Sequence, residues 1–314
     1  MERLTLRQFE VFEAAASAGS FAEAAARIGL TQPAVTMQVR QLEQNLGVAL
    51  FAGGRGRRRQ LTEAGAELLQ HARTILAQVR LSEEALASRH GATRGLLHLG
   101  VVPTANYFAP MLMMAFREEH PEVTLKLTVG RRDEVLAMLA DHRIDIAIGG
   151  YPPSETAVEA EIFARHPHCV VAAPSNPLVG RRGLRWSDLR DEPFLFREPG
   201  SATRQFLEHL LASQSLRVKV GVELSGNETI KQAIMAGMGI AFVSAHAIQV
   251  ELQAGRIAIL DIEGMPKYLD WCLLHGRDTR LTGVNALFHA FVLAHGREAT
   301  RCIASAGDAA GEAR

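Results

Sequence analysis

Two groups of polar residues in this sequence have the types and spacing to bind a ligand, and the first lies near the N-terminus. Gln32, Thr36 and Arg40 recur every four residues, and a short basic run follows at 55–59. Residues with that spacing share one face of a helix, and amide, hydroxyl and guanidinium groups are suited to hydrogen-bond with base edges. A cluster of arginines neutralises phosphates, which adds salt-dependent affinity without sequence choice. This group therefore predicts binding to double-stranded DNA.

The second group lies at three points where an apolar, strand-like run passes into a helical pattern: 103–106, 197–204 and 227–229. Ligands of α/β folds bind beyond the carboxyl ends of strands, and the N–H groups of helix N-termini there favour an anion. Helix caps without any ligand would show the same residues. The expected effector site comprises Pro103, Thr104, Ala105, Asn106, Gly149, Arg197, Ser201, Thr203, Arg204, Asn227, Glu228 and Thr229.

Three helical patterns position the first group. Ser20 and Thr31 are suited to cap the second and third helices, Gly29 permits a tight turn between them, and Pro33 fits the first turn of the third. Two such helices packed at a steep angle form a helix-turn-helix, whose second helix enters the major groove. An unrelated three-helix bundle would show the same pattern. The DNA-contacting residues predicted in this region are Ser20, Thr31, Gln32, Pro33, Ala34, Thr36, Met37 and Arg40.

A wing and a long helix follow the third helix. Residues 50–65 (LFAGGRGRRRQLTEAG) predict two short strands around a tip that carries Arg55, Arg57 and Arg58. A solvated basic loop is the alternative, but the neighbouring helix-turn-helix favours DNA contact. From Thr62 to about residue 89 no proline interrupts a heptad-like seam, which indicates a helix that pairs with a second copy of itself. The seam residues are Leu68, Ala72, Ile75, Val79 and Leu86.

Strand and helix patterns alternate beyond a Gly-rich break at 91–95, which indicates parallel sheets covered by helices. The expected strands are 96–101, 123–129, 144–148, 169–173, 218–222, 240–243, 257–262 and 269–274. The expected helices are about 105–119, 132–141, 201–214, 228–236, 246–254 and 281–295. The polar tail at 303–314 is expected to be disordered.

Composition narrows the class of protein. A length of 314 residues suits two or three domains, and a net charge of zero does not by itself indicate a nucleic-acid partner. Of the 34 basic residues four are Lys and 30 are Arg, a bias that suits phosphate binding but that a GC-rich genome also produces. The cysteines (Cys169, Cys272 and Cys302) form no disulfide or zinc pattern. The charged N-terminus and the lack of a long apolar run lead us to expect a cytoplasmic protein with no membrane contact.

Residues 3–65 closely resemble the DNA-binding domain of LysR-type transcriptional regulators, and the resemblance continues at lower density to about residue 293. The stretches that carry it are LRQFEVF, SFAEAAARIGLTQPAVTMQVRQLEQNLGVALF and LTEAG. Within that family the chain is similar to the CbbR type, which controls Calvin-cycle carbon-fixation genes. The segments that carry this closer similarity are Tyr107–Pro110, His166–His168, Arg197–Arg204, Asn227–Gln232 and Met235–Gly239.

The resemblance implies a winged helix-turn-helix domain (1–61), a linker or dimerisation helix (62–91) and an effector-sensing α/β domain (92–300) like periplasmic binding proteins. One lobe of that domain would comprise about 95–166 plus 268–293, and the other about 167–267. It also implies a homotetramer built as a dimer of dimers, promoter DNA and RNA polymerase as partners, and no cofactor or metal. The effector would be a small anion, such as a phosphorylated metabolite or NADPH. Residues 32–34, 36 and 37 would approach the bases.

The sequence departs from the CbbR pattern at a few positions. Asn106 and Tyr151 stand where that type has Lys and Arg, and Gly53 stands where an Arg is common. The two missing cations weaken the case for a multiply phosphorylated effector and suggest altered effector choice. A regulator of an unrelated metabolic operon is therefore the main alternative.

A two-lobed binding protein or an enzyme is a more distant alternative. His166, His168, Asp133 and Asp145 are titratable, but no GxSxG, HExxH or helix-opening GxGxxG motif contains them. We expect no catalytic residues.

Overall fold

The computed structural model describes residues 4–52, 60–89, 94–150, 158–277 and 279–302. The chain forms two compact units, Met1–Ala92 with Asp141–Arg143 and Thr93–Ala140 with Ile144–Arg314. No helix in the described ranges is long and apolar enough to cross a membrane. Several features discussed above lie outside the described residues: Gly53, Arg55, Arg57, Arg58, Tyr151 and the tail at 303–314.

In the described part of the first unit the helices are α1 (Leu6–Ser17), α2 (Phe21–Ile28), α3 (Gln32–Leu46) and α4 (Glu63–Arg89). Phe12 of α1 and Val35 and Leu42 of α3 are fully buried in a single core. The start of α4 joins that core through Leu69 and Ala72. Apolar side chains at helical spacing on each element therefore bury one common face, as the sequence pattern predicts.

Some residues of the heptad-like seam on α4 are buried in the first unit, and others are exposed. Ala72 is buried in the core of its own unit, so it is not available to a second copy of the helix, contrary to our expectation. Ile75 and Leu86 are 37% and 62% exposed, and Val79 is partly exposed. Ile75, Val79 and Leu86 are therefore the seam residues after Ala72 that remain available to a partner helix.

The base of the wing is a short antiparallel contact. Phe51 and Leu61 form a β-bridge, and the backbone N–H of Ala52 donates to the carbonyl of Gln60 at 2.8 Å. The Phe51 ring packs edge-on against Phe12 and Phe21, with ring centroids 5.8 and 5.2 Å apart. The wing therefore starts from the hydrophobic core.

The second unit contains one sheet with the strand order β2-β1-β3-β9-β4-β7-β5-β6, and β8 pairs with β4. The strands are β1 (Gly95–Val101), β2 (Val123–Val129), β3 (Ile146–Gly149), β4 (Val158–Ala172), β5 (Pro193–Arg197), β6 (Lys219–Leu224), β7 (Ile240–Ser244), β8 (Ala258–Ile259) and β9 (Lys267–Gly276). The helices are α5 (Ala109–Glu119), α6 (Arg132–Ala140), α7 (Ala202–Ser213), α8 (Asn227–Met235), α9 (Gln249–Gln253) and α10 (Gly283–Ala299). Single 3₁₀ turns lie at Ala105–Tyr107, Trp186–Leu189 and Ala245–Ile248.

The sheet is mixed, whereas the alternating pattern predicts parallel sheets. β1 pairs in parallel with β2 and β3, and β5 with β6 and β7. β4 and β9 are antiparallel to each other and to the strands beside them, β7 and β3. The expected strand at 169–173 is only the end of β4, which runs for 15 residues. A bulge between Ile162 and Ala164 and the presence of Pro167 interrupt the two-residue alternation that identifies a strand.

The apolar core of this unit forms two sets of clusters, as a two-lobed fold requires. One set packs β1–β3, α5 and α10 around Phe116, Trp271 and Phe288. The other packs β5–β7, α7 and α8 around Phe194, Phe242 and Ile234. Because β4 contributes Phe163 to the first set and Val170 and Cys169 to the second, it connects the lobes.

Candidate nucleic-acid interface and ligand cavity

The turn between α2 and α3 is set by two local features. Gly29 adopts a left-handed conformation with φ +67°, and the backbone N–H of Leu30 donates to the carbonyl of Ala25. Thr31 then caps α3, because its hydroxyl accepts from the backbone N–H of Ala34. These contacts begin α3 sharply, with Pro33 in its first turn.

The outer face of α3 is a shallow polar groove open to solvent. Met37 is 63% exposed in this groove, and the Thr36 hydroxyl donates to the Gln32 carbonyl at 3.0 Å. Because its proton is used in that bond, the Thr36 hydroxyl can only accept from a further partner. The lining residues are Gln32, Pro33, Thr36, Met37, Arg40, Gln41 and Gln44. Amides, one guanidinium and two apolar contacts on one exposed helix face suit base edges in a major groove.

Three residues predicted to contact DNA do not line the groove, and two of them cap helices. Ser20 caps α2 by accepting from the backbone N–H of Glu23, and Thr31 caps α3. Ala34 is partly buried beside Thr31. Gln41 and Gln44 were not predicted to contact DNA, although helical spacing places them on the same polar face of α3 as Arg40.

The unit also holds the wing base against the end of α3. The Glu43 carboxylate accepts from the backbone N–H groups of Leu50 and Phe51, at 2.8 and 3.3 Å. The Thr62 hydroxyl donates to the Ala49 carbonyl and accepts from the N–H of Gly65. The base of the wing is therefore fixed relative to the groove.

The second unit contains a cavity that is partly open to solvent. Two helix N-termini reach it, that of α6 at Arg132 and that of α7 at Ala202. The lining residues are Val102, Pro103, Thr104, Arg131, Arg132, Gly150, His166, His168, Arg197, Glu198, Gly200, Ser201, Ala202, Thr203 and Leu269. Unpaired backbone N–H groups at helix N-termini carry partial positive charge, and Arg131, which also pairs with Asp133, and Arg132 lie beside them, so the cavity favours an anion.

The cavity contains three predicted hydroxyl residues, Thr104, Ser201 and Thr203. Ser201 occupies the cap position of α7, but its side chain makes no capping hydrogen bond. Thr104 likewise makes no capping bond to the 3₁₀ turn that follows it. Neither hydroxyl is therefore used to cap a helix, so both can hydrogen-bond to a ligand.

Arg197 lines the cavity with its charge already neutralised. Its side chain is 7% exposed, and its guanidinium donates two hydrogen bonds of 2.8 Å to the carboxylate of Glu198 and another to Asn227 Oδ1. This bidentate contact lowers the pKa of Glu198 to about 2, with a contribution from the N–H of Gly226. Arg197 is thus a part of the cavity wall whose charge is balanced by Glu198 and not by a ligand.

Other predicted effector residues do not line the cavity. Arg204 binds Glu208 and Glu223, at 2.8 and 2.6 Å. Glu228 accepts from the hydroxyl of Tyr107 at 2.7 Å and pairs with the buried Lys231. The predicted residues absent from the lining are Ala105, Asn106, Gly149, Arg204, Asn227, Glu228 and Thr229. Ala105 and Gly149 are buried, and Asn106 is exposed.

A buried histidine cluster forms one wall of the cavity, and our site prediction omitted it. His166 stacks on Trp271 with ring centroids 3.9 Å apart, and its Nε2 lies 2.8 Å from the Ser244 hydroxyl. His168 stacks on Phe242. Burial lowers the pKa of both imidazoles, with His168 reaching about 3, so both rings are neutral at physiological pH. The HPH segment was the available signal, since alternate residues of a strand share a face.

The titratable residues considered for catalysis do not form one constellation. Asp133 pairs with Arg131 on the surface, and Asp145 accepts from the backbone N–H of His98. Within the described ranges no group of three or more His, Cys, Asp or Glu side chains could hold a metal ion.

A helix-turn-helix unit with an exposed polar helix, followed in the chain by a two-lobed unit with an anion-favouring cavity, defines a ligand-responsive DNA-binding regulator. Residues 6–66 match the family "Bacterial regulatory helix-turn-helix protein, lysR family", and residues 90–297 match "LysR substrate binding domain". The chain therefore belongs to the LysR family of transcriptional regulators.

Two relatives match nearly the whole chain. It is 41% identical over 290 residues to a RuBisCO operon transcriptional regulator of Allochromatium vinosum, which covers 92% of this chain and 96% of the relative. It is 45% identical over 292 residues to the transcriptional regulator CbbR of Rhodospirillum rubrum, covering 93% of this chain and 97% of that protein. The resemblance to the CbbR type is confirmed.

Two solved structures share the fold. The regulatory domain of Synechocystis PCC6803 CcmR in complex with 2-PG is 32% identical and has a TM-score of 0.61, covering 64% of this chain and 97% of that one. Full-length CbnR complexed with its target DNA is 25% identical and has a TM-score of 0.65, covering 92% of this chain and 99% of that one. The expected fold class, a winged helix-turn-helix followed by a two-lobed α/β domain, is confirmed.

Proposed function

We propose that this protein controls the transcription of carbon-fixation genes and that a small anionic metabolite in the cavity of the second unit modulates its binding to promoter DNA. The observation that carries the proposal is the convergence of two helix N-termini, Arg131 and Arg132 on one cavity. The relative that regulates a RuBisCO operon supports the choice of target genes. The CcmR complex with 2-PG supports a small organic anion as effector.

The proposed domains are those expected from the sequence: 1–61 for DNA binding, 62–91 as linker helix and 92–300 for effector sensing. Within the sensing domain the proposed lobes are about 95–166 plus 268–293, and 167–267. We further propose that the protein acts in the cytoplasm as a dimer of dimers that contacts RNA polymerase. Its role is regulatory and not catalytic.

The proposed mechanism is a shift between conformations of the sensing domain. An effector that binds one arrangement of the two lobes more tightly than another increases its population. If the linker helices of paired subunits follow that change, DNA affinity and effector affinity become coupled. The coupling is reciprocal, so promoter DNA must change effector affinity by the same factor.

The DNA-binding part of the proposal is tested on the α3 groove. Replacing Thr36 with Ala removes an acceptor and a methyl group from the groove, and should weaken binding to the promoter about 5- to 30-fold, as expected for one base contact. Gln38→Ala is the matched control, since Gln38 lies on the same helix but does not line the groove. Fluorescence anisotropy at fixed salt, on promoter and on random DNA, measures both variants. Equal losses on both DNAs would contradict base contact by Thr36.

The effector-binding part is tested on α7. Ser201→Ala removes a cavity hydroxyl without removing a helix cap, so the response of DNA affinity to 3-phosphoglycerate should fall while basal DNA affinity stays unchanged. Ser213→Ala is the control at the other end of the helix, where the hydroxyl donates to the Leu210 carbonyl. A Ser201→Ala variant that responds like the parent would place the effector elsewhere.

A further inference from the structure

One buried polar atom of a residue that lines the cavity has no hydrogen-bond partner of its own. His168 is fully buried, and its Nδ1 lies 3.1 Å from the carbonyl oxygen of His166. Because a carbonyl can only accept, Nδ1 must carry the proton of the ring. Among the described residues nothing hydrogen-bonds to the other nitrogen, Nε2.

The environment keeps the His168 ring neutral, so Nε2 presents a lone pair. Burial lowers the pKa of His168 to about 3, and repulsion from His246 lowers it further. The other charged residues that line the cavity are Arg132, Arg131 with its partner Asp133, and Arg197 with its partner Glu198. A neutral imidazole protonated on Nδ1 can only accept at Nε2.

A lone pair in this position discriminates among anions. Phosphate and carboxylate oxygens that are ionised are themselves acceptors, so one placed against Nε2 would be repelled and would leave both atoms unsatisfied. A hydroxyl placed there donates to Nε2 and satisfies it. The positive charge at the cavity therefore favours an anionic group on the ligand, and the lone pair of His168 Nε2 favours a hydroxyl group on the same ligand.

We propose that His168 selects effectors that carry a hydroxyl group next to their anionic group, namely hydroxylated organic phosphates or hydroxy acids. This inference rests on the proposed function, because it takes the cavity as the effector site. His168 acts in it as a specificity-determining residue: the helix N-termini and arginines bind the anion, and Nε2 reads the hydroxyl.

Matched probes that differ in a single hydroxyl test the proposal. Isothermal titration calorimetry of the full chain would compare 3-phosphoglycerate with 3-(phosphonooxy)propanoate, and malate with succinate, using both enantiomers of each chiral acid. The hydroxylated member of at least one pair should bind about tenfold more tightly, as expected when a buried acceptor gains its donor. Equal binding within both pairs, or no binding of any probe, would overturn the proposal.

Variants show whether His168 causes the preference. His168→Phe keeps an aromatic ring to pack against Phe242 and Phe206 but removes the acceptor, so the preference should disappear. His295→Phe, the same exchange on the exposed side of α10, should keep it. If His168→Phe does not fold, His168→Gln retains an acceptor in a side chain of similar reach and should keep the preference. A preference that survives in folded His168→Phe, or that is lost in folded His168→Gln, would contradict the proposal.

The pH dependence separates a neutral acceptor from a cation. Both members of each probe pair carry the same charged groups, so their own ionisation cancels in the affinity ratio. That ratio should stay constant between about pH 6.5 and 8.5, because a ring with a strongly lowered pKa does not titrate there. A deoxy probe that binds as tightly as its partner and still shifts DNA affinity would overturn the role of His168 while leaving the proposed function intact.

Discussion

Gly65 lies in the first turn of α4, where it packs directly against the base of the wing. A Cβ atom added there would lie 2.1 Å from the carbonyl oxygen of Leu50 and 3.1 Å from Cδ2 of Leu61. The same Leu50 carbonyl accepts the backbone N–H of Thr62 at 3.0 Å. A Gly65→Ala variant must therefore move the start of α4 away from the strand that begins the wing.

Two opposing effects determine the size of the change. Alanine favours a helix over glycine by about 1 kcal/mol, which would stabilise the variant. Ordinary carbon–oxygen contact requires the new Cβ to move by about 1 Å, and overpacking of this kind costs about 1–3 kcal/mol. Weakening the bond between Thr62 and Leu50 adds about 1 kcal/mol. The net prediction is a loss of about 1–3 kcal/mol in the free energy of unfolding, opposite in sign to helix propensity.

The two units can be followed separately because Trp186 and Trp271 both belong to the second. In urea, the far-UV circular dichroism transition of Gly65→Ala should move to lower denaturant, while the tryptophan fluorescence transition should stay in place. Ala66→Gly, at an exposed position of the same turn, measures the propensity effect without a clash. If Gly65→Ala gains as much stability as Ala66→Gly loses, the close contact described here does not constrain the protein.

Two further predictions concern the second unit. Burial raises the pKa of Cys169 and of Cys272 to about 12. Neither thiol should therefore react with an aromatic disulfide reagent at about pH 8 until the protein is unfolded. Fast reaction of either thiol in the native protein would contradict its burial. Because Arg197 holds the pKa of Glu198 near 2, below its ordinary value of 4.5, the carboxylate stabilises the fold above about pH 4.5 and loses that effect as pH falls toward 2. Glu198→Gln should therefore cost about 1–2 kcal/mol in urea unfolding at about pH 6, a modest figure because the side chain is 23% exposed. The difference from the parent should shrink at about pH 3.5, and a constant difference would show that the charge of Glu198 is not responsible.

The N-terminal unit follows from the sequence because its determinants are local. Ser20, Gly29 and Thr31 occupy the capping and turn positions expected of them, and the buried residues of α3 recur at helical spacing. Spacing does not distinguish a cap from a DNA contact, since either role uses a small hydroxyl residue. DNA contact by Ser20 and Thr31 therefore stays a prediction beside their role as caps.

The cavity is harder to predict because its residues come from distant segments. Thr104, Ser201 and Thr203 follow from the rule that ligands bind at strand-to-helix junctions. Arg204 and Glu228 occupy such junctions too, but their charges are satisfied by salt bridges that no spacing reveals. The histidines were missed because β4 has a bulge and a proline, so the pattern did not show a strand carrying them to the cavity.

The long strand β4 also restricts how the length of this chain can change. Beyond Pro167, alternate residues of β4 enter opposite cores: Val170 and Ala172 pack on one face of the sheet, and Cys169 and Val171 on the other. A single-residue insertion or deletion between the bulge and His166 would exchange these faces and turn both cavity histidines away. Related proteins should therefore vary here by substitution, and change length only at the bulge, where the extra residue is already absorbed.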